Sequence, residues 1–125
     1  MTQFFLAIAS LLAGTSVAAG AFASHALQEQ LSARALNIFE TAVKYQMYHA
    51  LALLAVALLL SRNETSQIPF LAAGSAFILG IMIFSGSLYA LSLTGIQWLG
   101  AMTPLGGIAF LVGWGCLTVA AFRWK

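Results

Sequence analysis

Four long apolar stretches, separated by short polar segments, dominate the pattern of hydrophobic and polar positions along the chain. A bilayer core of about 30 Å is crossed by about 20 apolar residues of a helix that rises 1.5 Å per residue. The stretches that approach or exceed this length lie at about residues 4–24, 43–60, 69–93 and 104–122. The pattern therefore predicts an all-α integral membrane protein with four transmembrane helices.

The segment from Leu27 to Glu40, between the first two stretches, is amphipathic. A helix lying in the membrane interface fits this pattern. Ser32 is a suitable N-cap for a helix that continues without glycine or proline to Leu60. We expect only the part of that helix from about Val43 onwards to lie in the membrane.

Proline and the terminal charges predict where the later helices begin and end. Pro69 follows the polar loop at residues 62–67 and suits the first turn of the third helix, while Thr103 and Pro104 form a cap-and-proline signal for the start of the fourth. The sequence Arg-Trp-Lys at residues 123–125 predicts an anchor at the headgroup surface.

The composition supports a membrane environment and argues against nucleic acid as a partner. The 125 residues are 62% hydrophobic and only 6% charged, with a mean hydropathy of +0.96, whereas about a quarter of the residues in soluble domains are charged. We expect a single membrane domain over residues 1–125 with the lipid bilayer as its surroundings. The net charge of +2 is spread over separate segments, so no basic stripe indicates nucleic-acid binding.

The distribution of positive charge predicts the orientation. Four spans place both termini on the side of the loop that carries Arg62, together with Arg123 and Lys125, and leave Arg34 and Lys44 on the opposite side. The positive-inside rule then favours cytoplasmic termini, in what we expect to be a bacterial inner membrane.

Small residues at helical spacing predict close packing between helices. On the first helix Ser10, Gly14 and Ala18 form one stripe, and Ser16 and Gly20, with Ser24, form another. The glycines expected to serve helix packing are Gly14, Gly20, Gly80, Gly86, Gly106, Gly107 and Gly113.

Polar side chains near membrane depth concentrate at the end of the first helix and the beginning of the second. The candidate cluster consists of His25, Thr41, Tyr45, Gln46, Tyr48 and His49. Thr41, Tyr45, Tyr48 and His49 fall along one side of a helix. If the two helices are antiparallel neighbours, His25 is expected at about the depth of Tyr45 and His49.

Two functional interpretations of this cluster, and one of two serines outside it, compete with a structural interpretation. The histidines could bind a metal, haem or pigment, although two ligands are few for zinc, and no cofactor is predicted. His25 and His49, with Glu40, could relay protons or ions in a small transporter or channel, because titratable groups in membranes are often functional. A serine nucleophile at Ser85 or Ser87 lacks an acid–base partner nearby in sequence. In the structural interpretation, which we favour, these side chains bond across helices and fix their packing.

Four ordered segments resemble the small membrane proteins grouped as domain of unknown function 423, the YgdD-like proteins, which include the animal transmembrane protein 256. The segments are GAFASHAL at residues 20–27, FETAVKYQMYHAL at 39–51, FSGSLY at 84–89, and TPLGG at 103–107 with Gly113 and Trp114. The departure lies at Ala23 and Ser24, where the family often has glycine and alanine. The resemblance implies a four-helix membrane fold and no established activity. Its matching segments include His25 and the tyrosine–histidine segment, the same residues that the polar pattern selects.

The sequence thus favours a protein that is not an enzyme and acts by association, as an accessory or assembly partner of a larger membrane complex or as a homo-oligomer. The small-residue helix faces and the scarcity of charged residues are the features that support this hypothesis.

Overall fold

The computed structural model describes residues 1–62 and 67–123, which form helices joined by short turns. Helix α1 covers Thr2–Phe22 and continues into a π-helical turn at Ala23–Leu27, and α2 covers Ala33–Arg62. The third span consists of α3 at Ile68–Gly80, a π-helical turn at Ile81–Ser85, and α4 at Gly86–Thr94. Helix α5 covers Leu99–Phe122. Most of the predicted polar loop, residues 63–66, and the predicted anchors Trp124 and Lys125 lie outside the described residues.

The predicted fold class is confirmed, because four helical segments are long and apolar enough to cross a membrane. They are 26, 30, 27 and 24 residues long, so each exceeds the roughly 20 residues that a bilayer core requires. The third begins with Pro69 in its first turn, as predicted.

The second helix is longer than the predicted span and absorbs part of the amphipathic segment. Ser32 caps it, since the backbone N–H of Ala35 donates to the Ser32 hydroxyl over 3.1 Å. A turn at residues 28–30 precedes this cap. The continuous helix predicted from Ser32 is therefore confirmed, and it includes residues 33–40 of the amphipathic segment.

The predicted start of the fourth helix at Pro104 is wrong, because α5 begins at Leu99 and contains Pro104 in its interior. A proline there lacks the N–H that would bond the carbonyl of Gly100, a loss that transmembrane helices tolerate when neighbouring groups compensate. The Thr103 side chain does not cap the helix but lies 2.7 Å from the hydroxyl of Ser87, which joins α5 to α4.

The third span changes its helical pitch at residues 81–85 and ends at a glycine. At the last residue of this π-helical turn, Ser85 donates to the carbonyl of Ala42 on α2 over 2.8 Å. Gly95 has a φ of 71° and closes α4 with a bond from its N–H to the carbonyl of Leu91. Left-handed backbone of this kind favours glycine.

The spans pack as a central pair with a helix on each flank. In the most apolar window of each span, 44% of the α2 residues and 50% of those in the third span are buried, against 17% for the first span and 22% for α5. The main core includes Phe5, Leu53, Phe70 and Phe77. Helices α1 and α5 therefore direct most of their surface away from the rest of the chain.

Four glycines allow this core to close, because a Cβ atom at any of them would overlap an aromatic residue. Gly80 lies against the Phe110 ring, Gly106 against the Phe84 backbone and Gly113 against the Phe77 ring, as predicted. Gly74, which the sequence analysis did not select, lies against the Phe5 ring. These contacts join α1 to α3 and the third span to α5.

The remaining predicted packing glycines behave differently. A Cβ at Gly20 would make an ordinary contact of 3.5 Å with Val43. Nothing described lies within 4 Å of a Cβ built at Gly14, Gly86 or Gly107. None of these three therefore packs closely against another described helix of the chain, and packing against a helix from outside the chain stays a prediction.

Candidate functional site

His49 is the one member of the predicted cluster that lies deep between α2, α3 and α5. It is 5% exposed, and its ring stacks on that of Phe110 with centroids 3.5 Å apart and planes 7° apart. The indole N–H of Trp114 donates to its Nε2 over 3.2 Å. Its Nδ1 lies 2.8 Å from the carbonyl oxygen of Tyr45, one turn earlier on α2.

These two bonds determine the form of the His49 ring. An indole nitrogen can only donate, so Nε2 of His49 must accept and carry no proton. A carbonyl oxygen can only accept, so Nδ1 must carry the proton and donate to Tyr45. His49 is therefore a neutral imidazole with both nitrogens in use, and a metal, haem iron or transferred proton would have to displace the Trp114 bond.

An apolar groove of about 670 Å³ opens beside His49, between α2 and α5. Tyr45, Tyr48 and Phe84 line it from one side, and Gly107 and Leu111, with Ile108, Phe110 and Trp114, line it from α5. The Tyr45 ring lies 4.6 Å from that of Phe84 and 5.8 Å from that of Tyr48. The hydroxyls of both tyrosines form no hydrogen bond within the described part of the chain.

Gln46 belongs to a second polar cluster on another side of α2. Its Nε2 donates to the Leu12 carbonyl over 2.8 Å and to the Thr15 hydroxyl over 2.9 Å, both on α1. Its Oε1 accepts from the Tyr89 hydroxyl over 2.6 Å. Gln46 therefore ties three spans together, and Tyr89 also packs edge-on against Phe39, with ring centroids 4.9 Å apart.

Thr41 and Glu40 join neither cluster through a polar contact. The Thr41 hydroxyl donates to the Asn37 carbonyl of its own helix over 2.9 Å. Glu40 is half-buried and Lys44 is exposed, and within residues 1–62 and 67–123 neither forms a salt bridge. The polar side of α2 thus divides into residues that bond inward and residues that face its surroundings.

His25 does not lie at the depth of His49, so that prediction is wrong. The Ser16 hydroxyl donates to the Val43 carbonyl and Gln46 bonds Leu12, which fixes the antiparallel register of α1 and α2. In this register the exposed His25 lies beside the first turn of α2, roughly 15 residues and about 20 Å from His49 along the helix axis. The offset between the two histidines is set by the contacts between α1 and α2, which the sequence of either helix alone does not define.

Sequence reasoning missed the side chains that complete both clusters. Trp114 and Phe110 are one turn apart on α5 and together enclose His49, while Tyr89 completes the Gln46 cluster. The available signals were the helical spacing of Phe110 and Trp114 and the presence of tyrosine in an apolar helix, where its hydroxyl requires a partner.

The buried polar groups of both clusters are paired internally. Within the described residues every buried side-chain nitrogen or oxygen has a hydrogen-bond partner, and no group of three or more potential metal ligands occurs. Hydrogen bonds between membrane helices fix their register and contribute about 0.6 kcal/mol on average. The hydrogen bonds of both clusters therefore hold the helices of the chain together.

The sequence matches the model of a family described as a protein of unknown function (DUF423) over residues 19–107. It is 43% identical over 121 residues to a UPF0382 membrane protein of Staphylococcus saprophyticus, covering 97% of this chain and 98% of that protein. It is also 42% identical to the UPF0382 membrane protein YwdK of Bacillus subtilis, covering 98% of each chain. A UPF0382 membrane protein of Haemophilus influenzae is 40% identical, with 100% of this chain and 98% of that protein covered. No solved structure matches.

Proposed function

Since the chain belongs to the membrane-protein family of unknown function DUF423, we propose that it acts by association within the bilayer, as an accessory or assembly partner of a larger membrane complex. The observation that carries this proposal is the orientation of the two small-residue stripes on α1. One of them has a partner helix within the chain, and the other has none among the described residues.

The inner stripe shows what such a surface does when it is paired. Ser16 is 1% exposed and donates its hydroxyl to the Val43 carbonyl over 2.9 Å. At Gly20, one turn later, an added Cβ would lie 3.5 Å from the Val43 side chain. The two residues therefore bring α1 close to the backbone of α2, as small residues do between membrane helices.

The outer stripe has the same character but faces away from the chain. Ser10 and Ala18 are exposed, and Gly14 between them has open space at its Cβ position. The Ser10 hydroxyl bonds the Leu6 carbonyl of its own helix, so this surface has no polar group that must face water. Its shape allows the close approach of a helix from another chain.

The two clusters support association more than chemistry. Nε2 of His49 accepts from Trp114 and so holds α5 to α2, while Nδ1 is occupied by the Tyr45 carbonyl of α2 itself. Gln46 holds α1 and α4 to α2. A proton path or a metal site through His49 would require breaking a bond that this packing uses. The arrangement favours a rigid four-span unit that presents its outer surfaces to other proteins.

Replacing Gly14 with leucine tests the proposal, because the larger side chain prevents close approach without meeting a described atom of the same chain. Gly115→Leu is the matched control, since a Cβ there is equally open but lies on α5. In native membranes solubilised in mild detergent, we expect the wild-type chain and Gly115→Leu to migrate in a complex larger than the monomer. Gly14→Leu should shift to the monomer position.

A wild-type chain that is monomeric under these conditions and recovers no membrane-protein partner would contradict the proposal. Equal loss of the complex in both leucine variants would also contradict the assignment of the outer stripe.

A further inference from the structure

Two apolar hollows lie between α2 and α5, one after the other along the helices. We call the line from Tyr45 to Leu59 on α2, with the facing residues of α5, the seam. The lower hollow is the groove of about 670 Å³ beside His49. The upper hollow, of about 480 Å³, is lined by Leu59, Phe70, Leu117 and Ala121. From Tyr45 to Leu59 the seam extends for about 20 Å, which exceeds the roughly 15 Å depth of one leaflet.

The upper hollow has the size and composition of a site for an apolar chain. Its volume falls within the roughly 300–1,000 Å³ of ordinary small-molecule sites, and each of the side chains that line it is a hydrocarbon group. Leu59 comes from α2, and Leu117 and Ala121 come from one face of α5, one turn apart. The hollow is thus a lengthwise trough between two helices.

Two arginines lie at the outer end of this trough. Arg62 is three residues beyond Leu59, and Arg123 is two residues beyond Ala121, so each is only about 3 to 5 Å further along its helix. Both are exposed, and in the described part of the chain neither side chain forms a hydrogen bond or salt bridge. Among the described residues at this end, the side-chain charge is therefore positive.

The opposite end of the seam has a different charge balance. Lys44 precedes Tyr45, but Glu40 lies one turn away on the same helix, so the charges there are of opposite sign. Arg62 and Arg123 therefore form the better site for an anion, because guanidinium groups bond phosphate oxygens in pairs. Basic sites between membrane helices bind anionic lipid headgroups in this way.

We propose that the seam binds an anionic phospholipid, with its phosphate at Arg62 and Arg123 and an acyl chain in the trough lined by Leu59, Leu117 and Ala121. The site is separate from the outer stripe of α1. Lipid binding and the proposed association can therefore fail independently.

Native mass spectrometry of the purified full chain in mild detergent tests the proposal, with phosphatidylglycerol and phosphatidylcholine of identical acyl chains as probes. The variants are Arg62→Gln with Arg123→Gln, and Arg34→Gln with Lys44→Gln as the matched control at the other end. Ala121→Phe fills the trough and leaves every charge unchanged.

We expect the wild type and the Arg34/Lys44 variant to retain phosphatidylglycerol in preference to phosphatidylcholine. The Arg62/Arg123 variant should lose about fivefold in this preference for each charge removed. Ala121→Phe should lower the retention of both lipids, and excess inorganic phosphate should not displace bound phosphatidylglycerol.

Several results would overturn the proposal: no preference in the wild type, an equal loss in both charge variants, full retention by Ala121→Phe, or displacement by inorganic phosphate alone.

Discussion

The indole nitrogen of Trp114 donates to Nε2 of His49 over 3.2 Å, and this bond joins α5 to α2 inside the membrane domain. The stacked Phe110 ring covers one face of the same imidazole. One of the two histidines that the sequence offers as chemical candidates is therefore part of the packing between helices.

The His49–Trp114 bond is expected to make a measurable contribution to stability. Trp114→Phe leaves Nε2 of His49 without its donor, and His49→Phe removes the acceptor, so either change should destabilise the fold. In a double-mutant cycle we expect a coupling energy of about 0.6 to 1.7 kcal/mol, the range for hydrogen bonds between membrane helices. Unfolding in mixed detergent micelles provides the measurement, and strictly additive single effects would contradict the bond.

Adjacent glycines on α5 should respond oppositely to alanine. At Gly106 the new methyl group overlaps the Phe84 backbone, whereas at Gly107 it meets nothing described within 4 Å. We expect Gly106→Ala to lower the free energy of unfolding by about 1 to 3 kcal/mol, the cost typical of overpacking. Gly107→Ala should be neutral or stabilising by up to about 1 kcal/mol, because alanine favours helix. Similar losses at both positions would contradict the orientation of α5 that directs Gly106, but not Gly107, towards Phe84.

Tyr89 and Tyr48 form another matched pair. Tyr89→Phe removes the hydroxyl that donates to Gln46, so we expect a loss of about 0.6 to 1.7 kcal/mol in unfolding free energy. Tyr48 is 56% exposed and its hydroxyl has no partner within the described residues, so Tyr48→Phe should be close to neutral. The same unfolding assay compares them, and a larger effect at Tyr48 would count against the Gln46 cluster.

The sequence pattern was sufficient for the number of spans because membrane thickness alone sets the length of an apolar helix. It failed at Pro104, which usually marks a helix start but here lies within α5. It also placed His25 level with His49, because periodicity defines the faces of one helix and not its offset against another. That offset depends on contacts such as the bond from Ser16 to the Val43 carbonyl.

The composition of the candidate site was only partly predictable for a related reason. Tyr45 and Gln46 are adjacent in sequence, yet a rotation of about 100° per residue directs them to opposite neighbours of α2. Tyr45 packs near Phe84, and Gln46 bonds α1 and Tyr89. Which neighbour occupies each side follows from tertiary packing, so Trp114 was not recognised as the partner of His49.

The two histidines should differ in their structural importance. His25 is exposed at the end of the first span, so His25→Ala should leave the unfolding free energy nearly unchanged. His49→Ala removes a buried ring and leaves the Trp114 indole without its acceptor, and should cost about 2 to 4 kcal/mol. Metal and haem content measured on the same preparations checks the alternative. A cofactor lost in both variants would contradict a purely structural His49.

Photocrosslinking in native membranes, from single cysteines that carry a benzophenone label, tests the central claim, association through the outer stripe of α1, most directly. In a Cys116→Ala background, single cysteines at Ser10, Gly14 or Ala18 are compared with one at Gly115, where the space is equally open. The account predicts that irradiation links the three α1 positions to a second copy of the chain or to one defined membrane protein, while the Gly115 position remains unlinked. No crosslink from the α1 positions, or equal crosslinking from Gly115, would contradict it.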